Sequence, residues 1–143
     1  MVIISPRARI NSNLKSLAKK NKVVLDIKTS IETKDVQKTY GESICLLAVA
    51  KLEPFGLSVI ESLACGTPVV AINEGGFKET VLNNSTGFLV TPDKEEIGNA
   101  IAKLIKSSDL REKMGKQGIE DINKRFLWPN IVKKIEKVFY EIA

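Results

Sequence analysis

The sequence contains no histidine, only two cysteines and no long apolar run, and each absence excludes a class of protein or of site. Without histidine, the Ser-His and Cys-His pairs that activate many nucleophiles cannot form within these 143 residues. Carboxylates are therefore the acid–base groups that remain. Cys45 and Cys65 have neither metal-type spacing nor neighbouring ligands, and we interpret both as reduced packing residues.

The charge and hydropathy patterns favour a cytoplasmic protein with an anionic partner. No apolar run approaches the ~20 residues needed to span a bilayer, and no signal-peptide pattern follows Met1. The net charge of +5 suits an anionic ligand or surface. The lysines are spread over several predicted helices with few aromatic residues between them. Two interpretations stay open, a solvated helical face and a peripheral contact with an anionic membrane; nucleic acid is not expected.

Short apolar segments alternate with amphipathic ones along the whole chain. This alternation predicts an α/β fold: a Rossmann-like parallel sheet with helices on both faces, in a single domain over residues 1–143. The predicted strands are 1–4, 23–27, 43–49, 68–72 and 88–90. The predicted helices end near residues 20, 41, 65, 82, 106, 125 and 142. Tyr40-Gly41 closes the second, Pro92-Asp93 starts the fifth and Ser108 caps the sixth. The last has a shared apolar face formed by Ile131, Ile135, Val138 and Ile142.

Residues 53–70 form the βαβ unit around which the other segments are arranged. Glu53 precedes a proline, which disfavours the helical region for it and places it on the loop that leaves the strand. Gly56 allows close backbone approach to a ligand. The free amides of Gly56, Leu57 and Ser58 at the helix start form a predicted anion site.

The spacing of apolar residues in the helix that follows predicts its buried face. Leu57, Ile60, Leu63 and Ala64 repeat at helical spacing and are expected to face the sheet. Glu61 falls outside that stripe, near the ligand end of the helix.

The motifs together resemble the signature of the retaining, family 4 glycosyltransferases of the GT-B fold. The resemblance rests on two glutamates with Phe-Gly between them and on the segments that follow at similar distances: Glu53, Phe55-Gly56, Glu61, residues 65–70, Gly75-Gly76, Glu79 and residues 87–90. It implies that Glu61 binds the ribose hydroxyls of a nucleotide-sugar and that Glu53 contacts the donor sugar as the candidate catalytic residue. It further implies that the diphosphate lies on the backbone of residues 55–58, namely Phe55, Gly56, Leu57 and Ser58.

The same resemblance implies that Gly75 and Gly76 border the nucleotide, with Glu79 at a matching position. Alternatives from the residues alone stay open. Glu53 would then complement a helix dipole, Glu61 would be a solvated surface residue, and the two glycines would form a tight left-handed turn.

The chain also departs from the family pattern. A family member has two Rossmann-like domains, and this chain resembles the second, donor-binding one without its first strand and without the arginine and lysine that face the diphosphate. Arg7 and Arg9 either substitute for that pair in part or are ordinary surface residues. Val49-Ala50 stands where the family often has Pro-Ser. The missing strand predicts an exposed sheet edge that a partner chain or self-association would fill.

The predicted function is the donor-binding half of a retaining glycosyltransferase that transfers a sugar from a UDP- or GDP-sugar to an acceptor. No Asp-x-Asp motif occurs, so no metal or other cofactor is expected. Transfer is expected to require an acceptor domain. The alternative is a non-catalytic nucleotide-sugar-binding or interaction module derived from a split enzyme. A dinucleotide- or methyl-donor-binding domain is disfavoured because no G-x-G-x-x-G follows a predicted strand.

Overall fold

The structure is a computed structural model that describes residues 1–5, 12–29 and 31–142. The chain divides into two compact units, Met1–Val36 and Gln37–Ala143. Within the described ranges every strand pair is parallel and helices connect consecutive strands. The predicted α/β class with parallel strands is confirmed.

The first unit is a β–α–β arrangement. Its strands pair in parallel from Val2 opposite Asp26 to Ser5 opposite Thr29. Its elements are β1 (Val2–Ser5), α1 (Ser12–Lys20) and β2 (Asp26–Thr29).

The turn after α1 explains why β2 begins later than predicted. Lys22 adopts a left-handed conformation with φ 56°, and the Val23 N–H donates to the Ala18 carbonyl at 2.9 Å. This hydrogen bond closes the end of the helix and keeps Val23 out of the strand. The strand predicted from residue 23 therefore starts at Asp26.

The second unit contains a three-stranded parallel sheet in the order β3-β4-β5. Helix α2 (Thr33–Gly41) crosses the boundary between the units. The remaining elements are β3 (Leu46–Ala48), α3 (Leu57–Ala64), β4 (Val69–Ile72), α4 (Phe77–Thr80), β5 (Gly87–Val90), α5 (Lys94–Lys106), α6 (Ser108–Arg125) and α7 (Trp128–Ile142).

The central strand β4 is buried on both faces. Val69 and Ala71 join one hydrophobic cluster, with residues of α3, α4 and α6. Val70 joins a second cluster, with Leu104 of α5 and Met114 of α6. Helices therefore cover both faces, which is why this strand appears in the sequence as a continuous apolar run and not as an alternating one.

Two strand predictions need correction. The five described strands are hydrogen-bonded in two sheets, not in one. The strand predicted over residues 43–49 is paired only at Leu46–Ala48, opposite Val69–Ala71 of β4.

The predicted buried face of α3 is also wrong at two positions. Leu57 is 66% exposed and Ala64 is exposed, whereas Val59 and Ser62 are buried. Ser62 can occupy the buried face because its hydroxyl donates to the Thr67 carbonyl at 3.1 Å. A hydrogen-bonded serine is indistinguishable from a solvated one in a hydropathy pattern.

The caps of α5 and α6 lie at or next to the predicted residues, and neither cysteine forms a disulfide. Asp93 caps α5 by accepting from the Glu95 and Glu96 amides. Ser107, and not Ser108, caps α6. Both cysteines are free thiols, and burial raises the pKa of the Cys45 thiol.

The apolar face predicted for α7 is not buried within its unit. Ile135, Val138 and Ile142 are 47%, 54% and 73% exposed. Among the described residues, no helix has the length and apolar character needed to cross a membrane.

Candidate functional site

Two loops lie against each other at the carboxyl ends of β3 and β4. Residues 49–56 follow β3, and residues 73–76 follow β4. The Gly76 N–H donates to the Glu53 carbonyl oxygen at 2.8 Å. Adjacent parallel strands present their carboxyl ends at one edge of the sheet, where ligands of α/β folds bind. The structure thus brings the two glycines and Glu53 of the predicted site together.

Close backbone contact explains glycine at both positions of the second loop. Gly75 has φ 55°, and a Cβ there would lie 2.5 Å from the Glu53 carbonyl oxygen. A Cβ on Gly76 would lie 2.4 Å from the Pro54 carbonyl oxygen. The left-handed turn considered as an alternative is present at Gly75. A larger residue at either position would separate the two loops.

The N-terminus of α3 is partly occupied by the protein itself. Glu53 Oε1 accepts a hydrogen bond from the Gly56 N–H at 3.1 Å, so the carboxylate does complement the helix dipole. Within the described residues, the Leu57 and Ser58 amides have no hydrogen-bond partner. Of the three amides predicted to hold an anion, two are available in this conformation.

Aromatic contacts support the loop that carries Phe55 and Gly56. The Phe55 ring meets the Phe126 ring edge-on, with centroids 6.0 Å apart. Gly56 is the residue before α3 and has φ 89°. A Cβ on Gly56 would lie 3.1 Å from the Phe77 ring. The loop therefore packs on rings from α4 and from the end of α6.

Glu61 lies on the second turn of α3 and is exposed but not isolated. The Tyr40 hydroxyl donates to Glu61 Oε2 at 3.1 Å. Burial raises the pKa of Tyr40 well above its ordinary value, and the charge and hydrogen bond of Glu61 raise it further. Burial and the charge of Glu61 likewise raise the pKa of the Cys65 thiol, so it stays protonated and unreactive at neutral pH.

Arg125 connects the end of α6 to α4, the helix that follows the second loop. Its guanidinium forms a bidentate ion pair with Asp121, with Nε 2.6 Å from Oδ1. It also donates to the Glu79 carbonyl oxygen at 2.8 Å and lies 4.6 Å from the centre of the Phe126 ring. Glu79 contributes its backbone here while its side chain is exposed.

Sequence reasoning missed Tyr40, Asp121 and Arg125. Tyr40 was interpreted only as the end of α2, and its contact with Glu61 spans 21 positions. The Asp121–Arg125 pair did carry a signal, since opposite charges at i and i+4 face each other on a helix. Arg7 and Arg9, considered as partners for a diphosphate, lie outside the described residues.

Two shallow cavities of the described residues lie away from the predicted site. Their volumes are about 310 and 320 Å³, and no predicted site residue lines either. The described ranges contain no group of three or more His, Cys, Asp or Glu side chains placed to hold a metal ion.

Comparison with known proteins shows the family to which this chain belongs. The sequence pattern of the family described as "Glycosyl transferases group 1" matches residues 9–121. This chain belongs to that family. The match includes both glutamates, the helix N-terminus and the Gly75-Gly76 loop, which is the part of the chain on which the resemblance was based.

Several known proteins are similar to this chain in sequence or in fold. Alpha-1,3/1,6-mannosyltransferase ALG2 from Dictyostelium discoideum is 37% identical over 57% of this chain and 20% of its own length. Sucrose-phosphate synthase from Thermosynechococcus elongatus superposes with a TM-score of 0.83 at 26% identity, over 99% of this chain and 38% of its own. Anabaena HepE, solved in complex with UDP-glucose, has a TM-score of 0.74 at 24% identity, over 90% and 36%.

These three proteins are much longer than the matched region. The chain spans between 20% and 38% of the length of the three proteins.

Proposed function

We propose that this chain binds the nucleotide-diphosphate part of a sugar donor for a retaining glycosyltransferase. One observation carries the proposal. The Leu57 and Ser58 amides have no hydrogen-bond partner in the described part of the chain and lie at the start of α3, beside the two loops at the carboxyl ends of β3 and β4. The Glu61 carboxylate follows one helical turn later. Glu61 lies four residues beyond Leu57, or ~6 Å along a helix axis. That span is comparable to the one between the diphosphate and the ribose of a nucleotide.

Each group has a distinct part in the proposed binding. The amides and the positive end of the helix dipole stabilise the diphosphate without a metal ion. Glu61 accepts hydrogen bonds from the ribose hydroxyls through Oε1, since Oε2 accepts from Tyr40. Gly75 and Gly76 border the nucleotide, and Glu53 contacts the sugar. The UDP-glucose complex of Anabaena HepE, which has the same fold, supports a donor of this class.

The Glu61→Ala variant tests the binding site directly. Its affinity for UDP or GDP should fall by about 1.5–3 kcal/mol, the contribution of a hydrogen bond to a charged group. Isothermal titration calorimetry with both diphosphates measures it. Glu120→Ala removes another exposed glutamate, on α6, and should leave Kd unchanged. No binding of either nucleotide at millimolar concentration, or equal Kd values for Glu61→Ala and the parent, would overturn the proposal.

The Glu53→Gln variant tests the role of the carboxylate at the helix N-terminus. UDP should bind more tightly by ~0.3–1 kcal/mol, because the negative charge now beside the Gly56 amide would no longer repel the diphosphate. The glutamine oxygen can still accept from Gly56. Glu120→Gln is the control for the change in net charge. Weaker UDP binding by Glu53→Gln would show that the carboxylate itself holds the nucleotide.

Sugar transfer itself is proposed to require a larger assembly. Holding an acceptor against the donor's anomeric carbon contributes as much as ~7–11 kcal/mol to lowering such a barrier. The chain spans 20% of the length of the similar mannosyltransferase, so the residues that would hold an acceptor are proposed to come from outside it. An assay with labelled UDP- and GDP-sugars and mixed acceptors should show no transfer by this chain alone; turnover at ordinary enzymatic rates would contradict this.

A further inference from the structure

Tyr40 contacts α3 through its hydroxyl and the turn after α3 through its carbonyl oxygen. Its hydroxyl donates to Glu61 Oε2 on the second turn of the helix, at 3.1 Å. Its carbonyl oxygen accepts from the Thr67 hydroxyl at 2.6 Å and from the Ser43 N–H at 2.9 Å. The tyrosine therefore extends from the end of α2 across the side of α3, fixed at the backbone and at the tip of its side chain.

The anchor at the backbone is itself rigid. Thr67 is 2% exposed and follows the left-handed Gly66 that ends α3. Its own N–H donates to the Ser62 carbonyl oxygen at 3.0 Å, which is the pattern of a Schellman motif. Movement of the Tyr40 backbone would thus disturb the C-terminal turn of the same helix that carries Glu61.

The contact determines which carboxylate oxygen faces a ligand. An exposed glutamate on a helix samples several rotamers, and ordering it upon binding costs conformational entropy. With Oε2 accepting from Tyr40, Glu61 is held in one orientation, and Oε1 remains for a second donor.

We propose that Tyr40 is a positioning residue for Glu61. Tyr40 orders the Glu61 carboxylate, and the site thereby distinguishes nucleotides with ribose hydroxyls from those without them. This inference rests on the proposed nucleotide-binding function. Tyr40 does not contact the ligand in this arrangement. It acts through Glu61, and its effect is confined to the ribose end of the nucleotide.

The experiment compares the affinities of UDP and 2′,3′-dideoxyuridine diphosphate. The parent should prefer UDP by at least ~10-fold, and Tyr40→Phe, which keeps the ring but removes the hydroxyl, should reduce that preference by about 3- to 10-fold. Affinity for inorganic pyrophosphate, which has no ribose, should stay the same. Tyr140→Phe, at a residue 85% exposed on α7, is the matched control and should change nothing.

A spectroscopic titration tests the contact without any ligand. Burial and Glu61 raise the pKa of Tyr40, and in a Tyr140→Phe background Tyr40 is the single tyrosine of the chain, so its ionisation is observed alone. In Glu61→Gln, which removes the charge, Tyr40 should ionise at lower pH than in the parent. An unchanged ionisation of Tyr40 in this variant would show that the contact is absent in solution and would overturn the inference.

The outcomes separate the two proposals. If the parent binds no nucleotide, the proposed function fails and this inference fails with it. If the parent prefers UDP, Glu61→Ala loses the preference and Tyr40→Phe keeps it, the positioning role alone is wrong. A loss of pyrophosphate affinity in Tyr40→Phe equal to its loss of UDP affinity would indicate a general structural role, which also overturns the inference.

Discussion

Gly115→Ala should destabilise the protein by about 1–3 kcal/mol, the usual cost of overpacking a well-packed core. Gly115 lies inside α6, where the helix crosses close to the end of α3. A Cβ at this position would lie 2.2 Å from the Gly66 carbonyl oxygen, which is a backbone atom. Gly66 has φ 75° and forms the turn that ends α3. Because neither backbone can yield locally, the two helices must move apart.

Gly98→Ala is the matched control and should have the opposite sign. Gly98 lies inside α5 and is exposed, and a Cβ there would meet no atom within 4 Å apart from its chain neighbours and the nearby backbone of its own helix. Alanine there should stabilise the helix by ~0.5–1 kcal/mol, because it loses less backbone entropy than glycine on folding. Urea unfolding of both variants measures the difference. Equal free energies of unfolding for the two variants would show that the α3–α6 approach is looser than this structure has it.

Gly115→Ala should also weaken nucleotide binding at the proposed site. Moving α3 away from α6 displaces the helix whose N-terminus carries Leu57 and Ser58 and whose second turn carries Glu61. UDP affinity should therefore fall in Gly115→Ala and stay unchanged in Gly98→Ala.

Asp121→Asn should destabilise the protein by ~2–3 kcal/mol, somewhat less than the ~3–5 kcal/mol typical of breaking a fully buried ion pair. Asp121 is 9% exposed and the Arg125 side chain is 30% exposed. Without the carboxylate, the guanidinium keeps its hydrogen bond to the Glu79 carbonyl and its contact with Phe126 but loses its counter-charge. The expected loss of stability is smaller than that for a fully buried ion pair because water still reaches part of the Arg125 side chain.

Glu112→Gln provides the control on the same helix. Glu112 and Lys116 form an ion pair at the same i, i+4 spacing, but both side chains are about 70% exposed. Pairs of this kind contribute little to stability, so thermal unfolding of Glu112→Gln should match the parent. A similar loss in both variants would mean that burial of the Asp121–Arg125 pair has no energetic consequence.

Local chemistry predicted most of the element order, and Glu53, Gly75 and Gly76 of the predicted site do lie together at the carboxyl ends of two strands. The continuous apolar run at Val69–Ile72 predicted a strand covered on both faces, and β4 is buried throughout. The Pro92-Asp93 start of α5 was predicted because a capping side chain and its amides are neighbours in the chain. The glutamates, Gly56 and the Gly75-Gly76 loop carry the family pattern, which the match over residues 9–121 supports.

The sequence by itself determined what depends on neighbours along the chain: parallel strands separated by helices, helix caps, and a glycine-rich loop at the carboxyl end of a strand. Tertiary structure decided the contacts between groups far apart in the chain and the choice among local partners. Whether Glu53 caps Gly56 or faces solvent depends on the loop that packs on its backbone. The Tyr40–Glu61 contact and the Arg125–Glu79 contact span 21 and 46 positions. No periodicity connects residues so far apart, since their distance is determined by how the helices and strands pack on each other.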